Sequence, residues 1–238
     1  MFYEASWWVV APTVRAAFRA RVEGRKNVPR KGAAILASNH LSFLDHFVLG
    51  ASIRRQIFYI SKAQHFDHPV RRFLFTRWGV IPLKRGEGDN EAFDRSVETL
   101  RAGNLYAIYP EGTRSLDGRL HRGHTGVARL HLLSGAPIIP VAMWGTFEAL
   151  PKGRSVPRLK KCGVRFGAPL DFSRLAAQVE DRSTLRRITD DVMQAIASLS
   201  GQDYVNEYQY NPEVKSHAKS VEGGEPDGPR ASDAARKG

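Results

Sequence analysis

Ala33-Ala34-Ile35-Leu36-Ala37-Ser38-Asn39-His40-Leu41-Ser42-Phe43-Leu44-Asp45 is an apolar run that breaks into polar residues and ends on a carboxylate. The run Ala33 to Ala37 has the length and composition of a strand buried on both faces. His40 and Asp45 lie five positions apart, and five residues of regular helix turn through roughly 140°. The pair therefore does not share a helical face. The segment must turn, with His40 at the end of a strand and Asp45 at or just inside the following helix. A neutral imidazole can take a proton from an alcohol, and a carboxylate on its other ring nitrogen fixes the tautomer and stabilises the imidazolium. By itself a His and an Asp at this spacing recur by chance in many chains.

Working outward, short apolar runs recur at Ile57-Ile60, Val80-Ile81, Leu105-Tyr109, Ile138-Met143 and Val164-Phe166, each bounded by Gly, Pro, Asn or charged residues. They read as strands. Between them His46-Ile53, Pro69-Trp78, Asn90-Arg101 and Thr125-Leu133 have helical length and spacing. Strands alternating with helices predict an α/β fold, a layered mixed sheet flanked by helices. Ser183 to Leu199 adds an amphipathic helix with Leu185, Ile188, Val192, Ile196 and Leu199 on one stripe. Residues 1–23 mix Trp7, Trp8, Val9 and Val10 with Arg15, Arg19 and Arg21. They suit an amphipathic helix broken or begun near Pro12, either an interfacial anchor or a helix packed on the core. Residues 24–204 form the main domain. The segment 211–238, poor in large apolar residues, is expected to be a disordered tail.

The chain has 238 residues and a formal net charge of +12. Residues 201–238 hold five Lys and Arg against seven Asp and Glu, so the body before them carries +14. An anionic partner follows: nucleic acid, a phospholipid surface or a phosphorylated substrate. The arginines are scattered over the body and no nucleic-acid-binding motif occurs, so nucleic acid is not expected. One cysteine, Cys162, excludes an internal disulfide framework and reads as a packed or surface thiol. His65-x-x-His68, His121-x-x-His124 and the pair His40 and His46 resemble metal ligands, but Cys pairs and His-Glu-x-x-His are missing, so no metal is expected. His65, His68 and His121 are read as surface residues. No segment approaches the roughly 20 apolar residues that span a bilayer. No signal peptide is apparent either, which predicts a protein on the cytoplasmic side of the membrane, held peripherally.

Three further stretches keep company with His40 and Asp45: Gly79-Val80-Ile81-Pro82-Leu83-Lys84-Arg85, Tyr109-Pro110-Glu111-Gly112-Thr113-Arg114-Ser115 and Ile139-Pro140-Val141-Ala142. In this order and at these separations the four resemble the blocks of the glycerolipid acyltransferases, most closely the bacterial 1-acylglycerol-3-phosphate acyltransferases. The resemblance runs from about Val22 to about Tyr204 and includes the linking segments Ser61-Lys62-Ala63 and Arg122-Gly123 to Ala128. Pro82 departs from the pattern, where an aromatic or aliphatic residue is expected, as does Arg122, where Lys is commoner.

The resemblance implies a glycerol-phosphate acyltransferase-like fold. It also implies transfer of a fatty acyl group from acyl-CoA or acyl carrier protein to 1-acylglycerol-3-phosphate (lysophosphatidic acid), with no other cofactor and no covalent acyl-enzyme. It assigns His40 as base and Asp45 as its orienter. A glycerol phosphate is dianionic, and Lys84, Arg85 and Arg114 fall at the ends of predicted strands, where open α/β sheets bind ligands. Arg85 is the best candidate phosphate contact. Glu111 could accept a bond from a glycerol hydroxyl or orient an arginine, and Gly112 lets the backbone approach closely. The resemblance likewise places acceptor binding on Glu111, Gly112, Thr113 and Arg114, and places Pro140 on the acyl or thioester side. Enzymes that look similar act on other lyso-lipids, such as lyso-ornithine lipids, so the acceptor has that alternative.

Overall fold

The computed structural model describes residues 2–62, 66–83 and 89–209. Helix α1 (Phe2–Ala17) leads into β1 (Arg21–Glu23), β2 (Ala34–Ser38), α2 (Leu44–Ser52), β3 (Ile57–Lys62), α3 (Pro69–Arg77), β4 (Val80–Leu83), α4 (Asp89–Arg101) and β5 (Leu105–Ile108). Then follow β6 (Leu120–His121), α5 (Gly126–Ser134), β7 (Ile138–Trp144), α6 (Thr146–Ala149), β8 (Gly163–Phe166), α7 (Arg182–Ser200) and β9 (Tyr204–Val205). Seven strands form one sheet in the order β1-β8-β7-β2-β5-β3-β4, and β6 pairs with β9 apart from it. Every pair in the large sheet is parallel except β7 with β8. The expected mixed α/β sheet is therefore present.

Strand β2 shows why the sheet is layered. All five of its residues are buried, with Ala34 and Leu36 in a core with residues of α2, and Ile35 and Ala37 in a second core with residues of α5 and α7. Successive side chains of a strand point to opposite faces, so a continuously apolar strand requires helices on both sides. Because β2 lies between β5 and β7, its C-terminal end is where the chain's connections part to opposite sides of the sheet. Ligands of open α/β sheets bind at such switch points.

Three strands were not legible. β1, β6 and β9 are two or three residues long and lack an apolar run. The expected break at Pro12 is also absent, because α1 runs unbroken through it. The helix is held from outside: Trp7 Nε1 donates to the Gly50 carbonyl at 3.0 Å, Tyr3 Oη to the Arg55 carbonyl at 3.0 Å, and Arg15 to the Ala51 carbonyl. Tertiary contacts with α2 thus override the helix-breaking tendency of proline. Residues 211–238, expected from the sequence to be a disordered tail, lie outside the described residues.

Candidate active site

The turn between β2 and α2 is built by its own polar side chains. Asn39 is fully buried; its Oδ1 accepts the Met143 N–H at 2.7 Å, and its Nδ2 donates to the Met143 carbonyl at 3.0 Å and to Gln202 Oε1 at 2.6 Å. One amide thereby fixes the exit of β2 to β7. Ser42 and Asp45 form a reciprocal cap of the S-x-x-D kind. The Asp45 Oδ2 accepts the N–H groups of Ser42 at 2.8 Å and Leu41 at 2.7 Å, while Ser42 Oγ accepts the Leu44 N–H at 3.2 Å. A carboxylate in the first turn of α2 also lies at the positive end of the helix dipole.

The same Asp45 Oδ2 lies 2.9 Å from His40 Nδ1. Because Oδ2 already accepts two backbone N–H groups, it is an acceptor toward the ring, which assigns the proton to Nδ1 and the lone pair to Nε2. Asp45 has no exposed surface and the His40 side chain is 13% exposed, so only the imidazole can meet a substrate. His40 stands at the end of its strand and Asp45 just inside the helix, as the sequence requires. Its ring stacks on Tyr109, with centroids 3.9 Å apart and planes at 19°, and His46 meets it edge-on at 5.5 Å.

The backbone of His40 is gripped by the segment after β5. Its N–H donates to Glu111 Oε2 at 2.9 Å and its carbonyl accepts the Ser115 N–H at 2.7 Å. Glu111 Oε1 accepts the His121 N–H at 3.0 Å. Glu111 is thus buried with each carboxylate oxygen engaged by a backbone N–H. Burial pushes its carboxyl up to about 7 against the lowering effect of those two bonds. Gly112 has φ 71°, and a Cβ there would stand 3.1 Å from the His124 ring, so this turn needs glycine on both counts.

Arg114 and Thr113 are half-buried beyond that turn. Arg114 is close enough to act on His46, which burial first, then the charges of His40 and Arg114, lowers to about 4 against the opposing pull of Asp45. His46 is therefore a neutral imidazole beside His40. Its ring also lies 5.1 Å from each of Tyr59 and Tyr109, whose phenols burial holds well above the ordinary range. His46, Tyr59 and Asn39 were not expected in the site. His46 directly follows Asp45 in the chain, but the signals of the other two are tertiary, since Tyr59 belongs to another strand and Asn39 acts on a residue 104 positions away.

Lys84 and Arg85 lie outside the described residues. Pro140 is buried within β7 opposite Ala37 of β2, and its carbonyl accepts the Gly167 N–H at 2.8 Å. A residue's N–H and C=O point the same way along a strand, so the missing N–H of Pro140 faces the margin of the β8 ladder, where a proline is tolerated.

His121 corrects an expectation: it is buried, 8% exposed, with Nε2 3.0 Å from Asp117 Oδ1. The Glu111 bond draws β6 inward and takes His121 with it. His65 lies outside the described residues, and among those residues no group of three or more His, Cys, Asp or Glu side chains is arranged to hold a metal ion. Cys162 is buried, and burial, with the Asp45 and Glu148 charges, pushes its thiol up to about 12, which keeps it un-ionised. Among the described residues no helix is long and apolar enough to cross a membrane.

A mostly parallel α/β sheet with a carboxylate-oriented imidazole at its switch point offers a general base, an arrangement that many unrelated enzymes share. The family model described as Acyltransferase matches residues 19–144, more than half of the chain, and the chain belongs to that family. It is 33% identical over 139 residues to the chloroplastic 1-acyl-sn-glycerol-3-phosphate acyltransferase of Arabidopsis thaliana, a match over 57% of this chain and 39% of the relative. The chain spans about two fifths of the length of the chloroplastic relatives it matches. It is 25% identical over 184 residues to the 1-acyl-sn-glycerol-3-phosphate acyltransferase of Bacillus subtilis, covering 75% of this chain and 87% of that one. The crystal structure of the 1-acyl-sn-glycerophosphate acyltransferase from Thermotoga maritima shares the fold, with TM-score 0.66 and 24% identity over 81% of this chain and 79% of that chain.

Proposed function

We propose that this chain transfers a fatty acyl group from a thioester, acyl-CoA or acyl carrier protein, to the free hydroxyl of 1-acylglycerol-3-phosphate, giving phosphatidic acid. The observation that carries the reading is the His40 imidazole, its Nδ1 held 2.9 Å from a buried Asp45 oxygen. His40 Nε2 takes the acceptor's hydroxyl proton as that oxygen attacks the thioester carbon. The C–O bond forms, the C–S bond breaks, and the proton passes from His40 to the departing thiolate. No enzyme-bound acyl group is needed, and the un-ionised Cys162 is not used. Arg114, with Lys84 and Arg85, meets the phosphate, and the names of the matched relatives support the lysophosphatidic acceptor.

The acceptor is a lipid, so the enzyme works peripherally at an anionic membrane surface on the cytoplasmic side. The α1–α3 face supports this. Phe2 and Phe73 meet edge-on at 5.5 Å, Arg77 lies over both rings, and Trp8 and Val70 stay 60% and 58% exposed. No residue of α3 is buried, and aromatic and basic side chains at an interface partition this way.

The test is thiol release from palmitoyl-CoA by the full chain in lipid micelles, with and without lysophosphatidic acid, beside His40→Ala. Release that requires both the lyso-lipid and His40 is expected. Release supported equally by a lyso-lipid lacking phosphate would overturn the acceptor assignment.

A further inference from the structure

Between α6 and β8, Lys152 to Lys161 run without regular secondary structure, and every one of these residues is exposed. Lys152, Arg154, Arg158, Lys160 and Lys161 are cationic and none of the ten is acidic. Among them stand Val156 and Leu159, 72% and 74% exposed, more open than Trp8 or Phe73. Two open aliphatic side chains three positions apart and five cations thus share one short loop, a pairing of apolar tips with positive charge that suits an anionic interface.

One stem of the loop is fixed to the catalytic turn and the other to the junction of α1 and β1. Ser42 Oγ, next to Asp45's cap, donates to the Leu150 carbonyl at 2.7 Å, and the Arg158 N–H returns to the Ala149 carbonyl at 2.7 Å. At the far stem the Cys162 N–H donates to the Phe18 carbonyl at 3.0 Å, and the Cys162 carbonyl accepts the Arg21 N–H at 3.1 Å. Arg19, the one non-glycine with positive φ (45°) among the described residues, turns α1 into that junction and leaves Arg19 and Arg21 exposed against the loop's end. Two cations from the other end of the molecule's first helix thus extend the loop's charge.

We propose that the 152–161 loop is a lipid-contacting lobe that seats the site on an anionic bilayer. Val156 and Leu159 enter the hydrocarbon, and the flanking cations meet the lipid phosphates. This rests on the lipid-acceptor reading and names a second contact, separate from the α1–α3 face. An acidic carrier protein would satisfy the cations, whereas a bilayer also offers a continuous hydrocarbon phase to the two open aliphatic side chains. A bilayer satisfies both.

The test is sedimentation of the full chain with vesicles of phosphatidylcholine alone or mixed with phosphatidylglycerol, for the wild type and for Val156→Asp/Leu159→Asp. A second variant, Val156→Ser/Leu159→Ser, removes the apolar tips without adding charge. Affinity for the mixed vesicles should fall by about tenfold or more in the Asp variant and by several-fold in the Ser variant. Turnover of a short-chain acceptor below its micellar concentration should be unchanged. Wild-type vesicle binding by both variants would overturn the proposal. So would a raised KM for acyl-CoA or acyl carrier protein at unchanged vesicle binding, which would give the loop to the donor. Absence of wild-type thiol release with lysophosphatidic acid would instead sink the acceptor reading and leave the vesicle result readable.

Discussion

Glu111 Oε2 accepts the backbone N–H of His40 at 2.9 Å, a bond that spans 71 positions and sets the strand-end from which the base projects. The other oxygen holds the His121 N–H, so the carboxylate ties β2's exit to β6. Glu111→Gln keeps the shape but has one acceptor oxygen, and its amide meets a backbone N–H donor to donor. We expect a loss of about 1–3 kcal/mol in stability and a fall in kcat larger than any change in acceptor KM. The wild-type carboxyl is raised to about 7 by burial, so the folded chain binds this proton more tightly than the unfolded one. That contribution is full below the ordinary Glu range and lost as pH rises through 7. The deficit of Glu111→Gln, measured by urea unfolding, should therefore shrink from about pH 5 to about pH 8. A deficit that grows with pH would contradict this role.

Asp45→Asn should leave α2 capped, because an amide oxygen can still accept the Ser42 and Leu41 N–H groups. It removes the negative charge that supports the imidazolium. A fall in kcat of about 10²–10⁴ is expected for it and for His40→Ala, each with near-native circular dichroism. Near wild-type turnover by a folded His40→Ala protein would remove His40 as the base.

The main sheet and the His–Asp turn were legible because both are local: β2 is one apolar run, and His40, Ser42 and Asp45 lie within six residues. What surrounds the base was not. Glu111 belongs to a recognisable block, yet its oxygens are spent on backbone N–H groups that only the register of β2 against β5 and the position of β6 bring together. Asn39's grip on Met143 depends on β7 lying beside β2. His121 looked like a surface histidine because a two-residue strand gives no periodicity to show which side is buried.

The stacked ring of Tyr109 bears on the charge His40 acquires during turnover. An imidazolium over an aromatic face is stabilised by roughly 0.5–2 kcal/mol. Tyr109→Phe keeps the face, while Tyr109→Leu removes it. The leucine variant should lower kcat by about threefold or more relative to the phenylalanine variant, which keeps the aromatic face and near wild-type turnover. Equal turnover by the two folded variants would reduce the stack to packing.

Arg114 is a described cation whose charge reaches His46, the ring beside the base, and Arg85 is the one the sequence adds. If they grip the acceptor's phosphate, Arg114→Ala and Arg85→Ala should each raise the acceptor KM by about tenfold or more, the range of one charge-assisted contact. The donor KM should stay within about twofold. Arg114→Lys should recover only part of the loss, because an ammonium cannot hold two phosphate oxygens in one plane as a guanidinium does. Loss of Arg114 also removes one of the charges holding His46 neutral, so the His46 ring resonance should titrate at higher pH in Arg114→Ala. A variant with raised donor KM and unchanged acceptor KM would move Arg114 to the thioester side of the site.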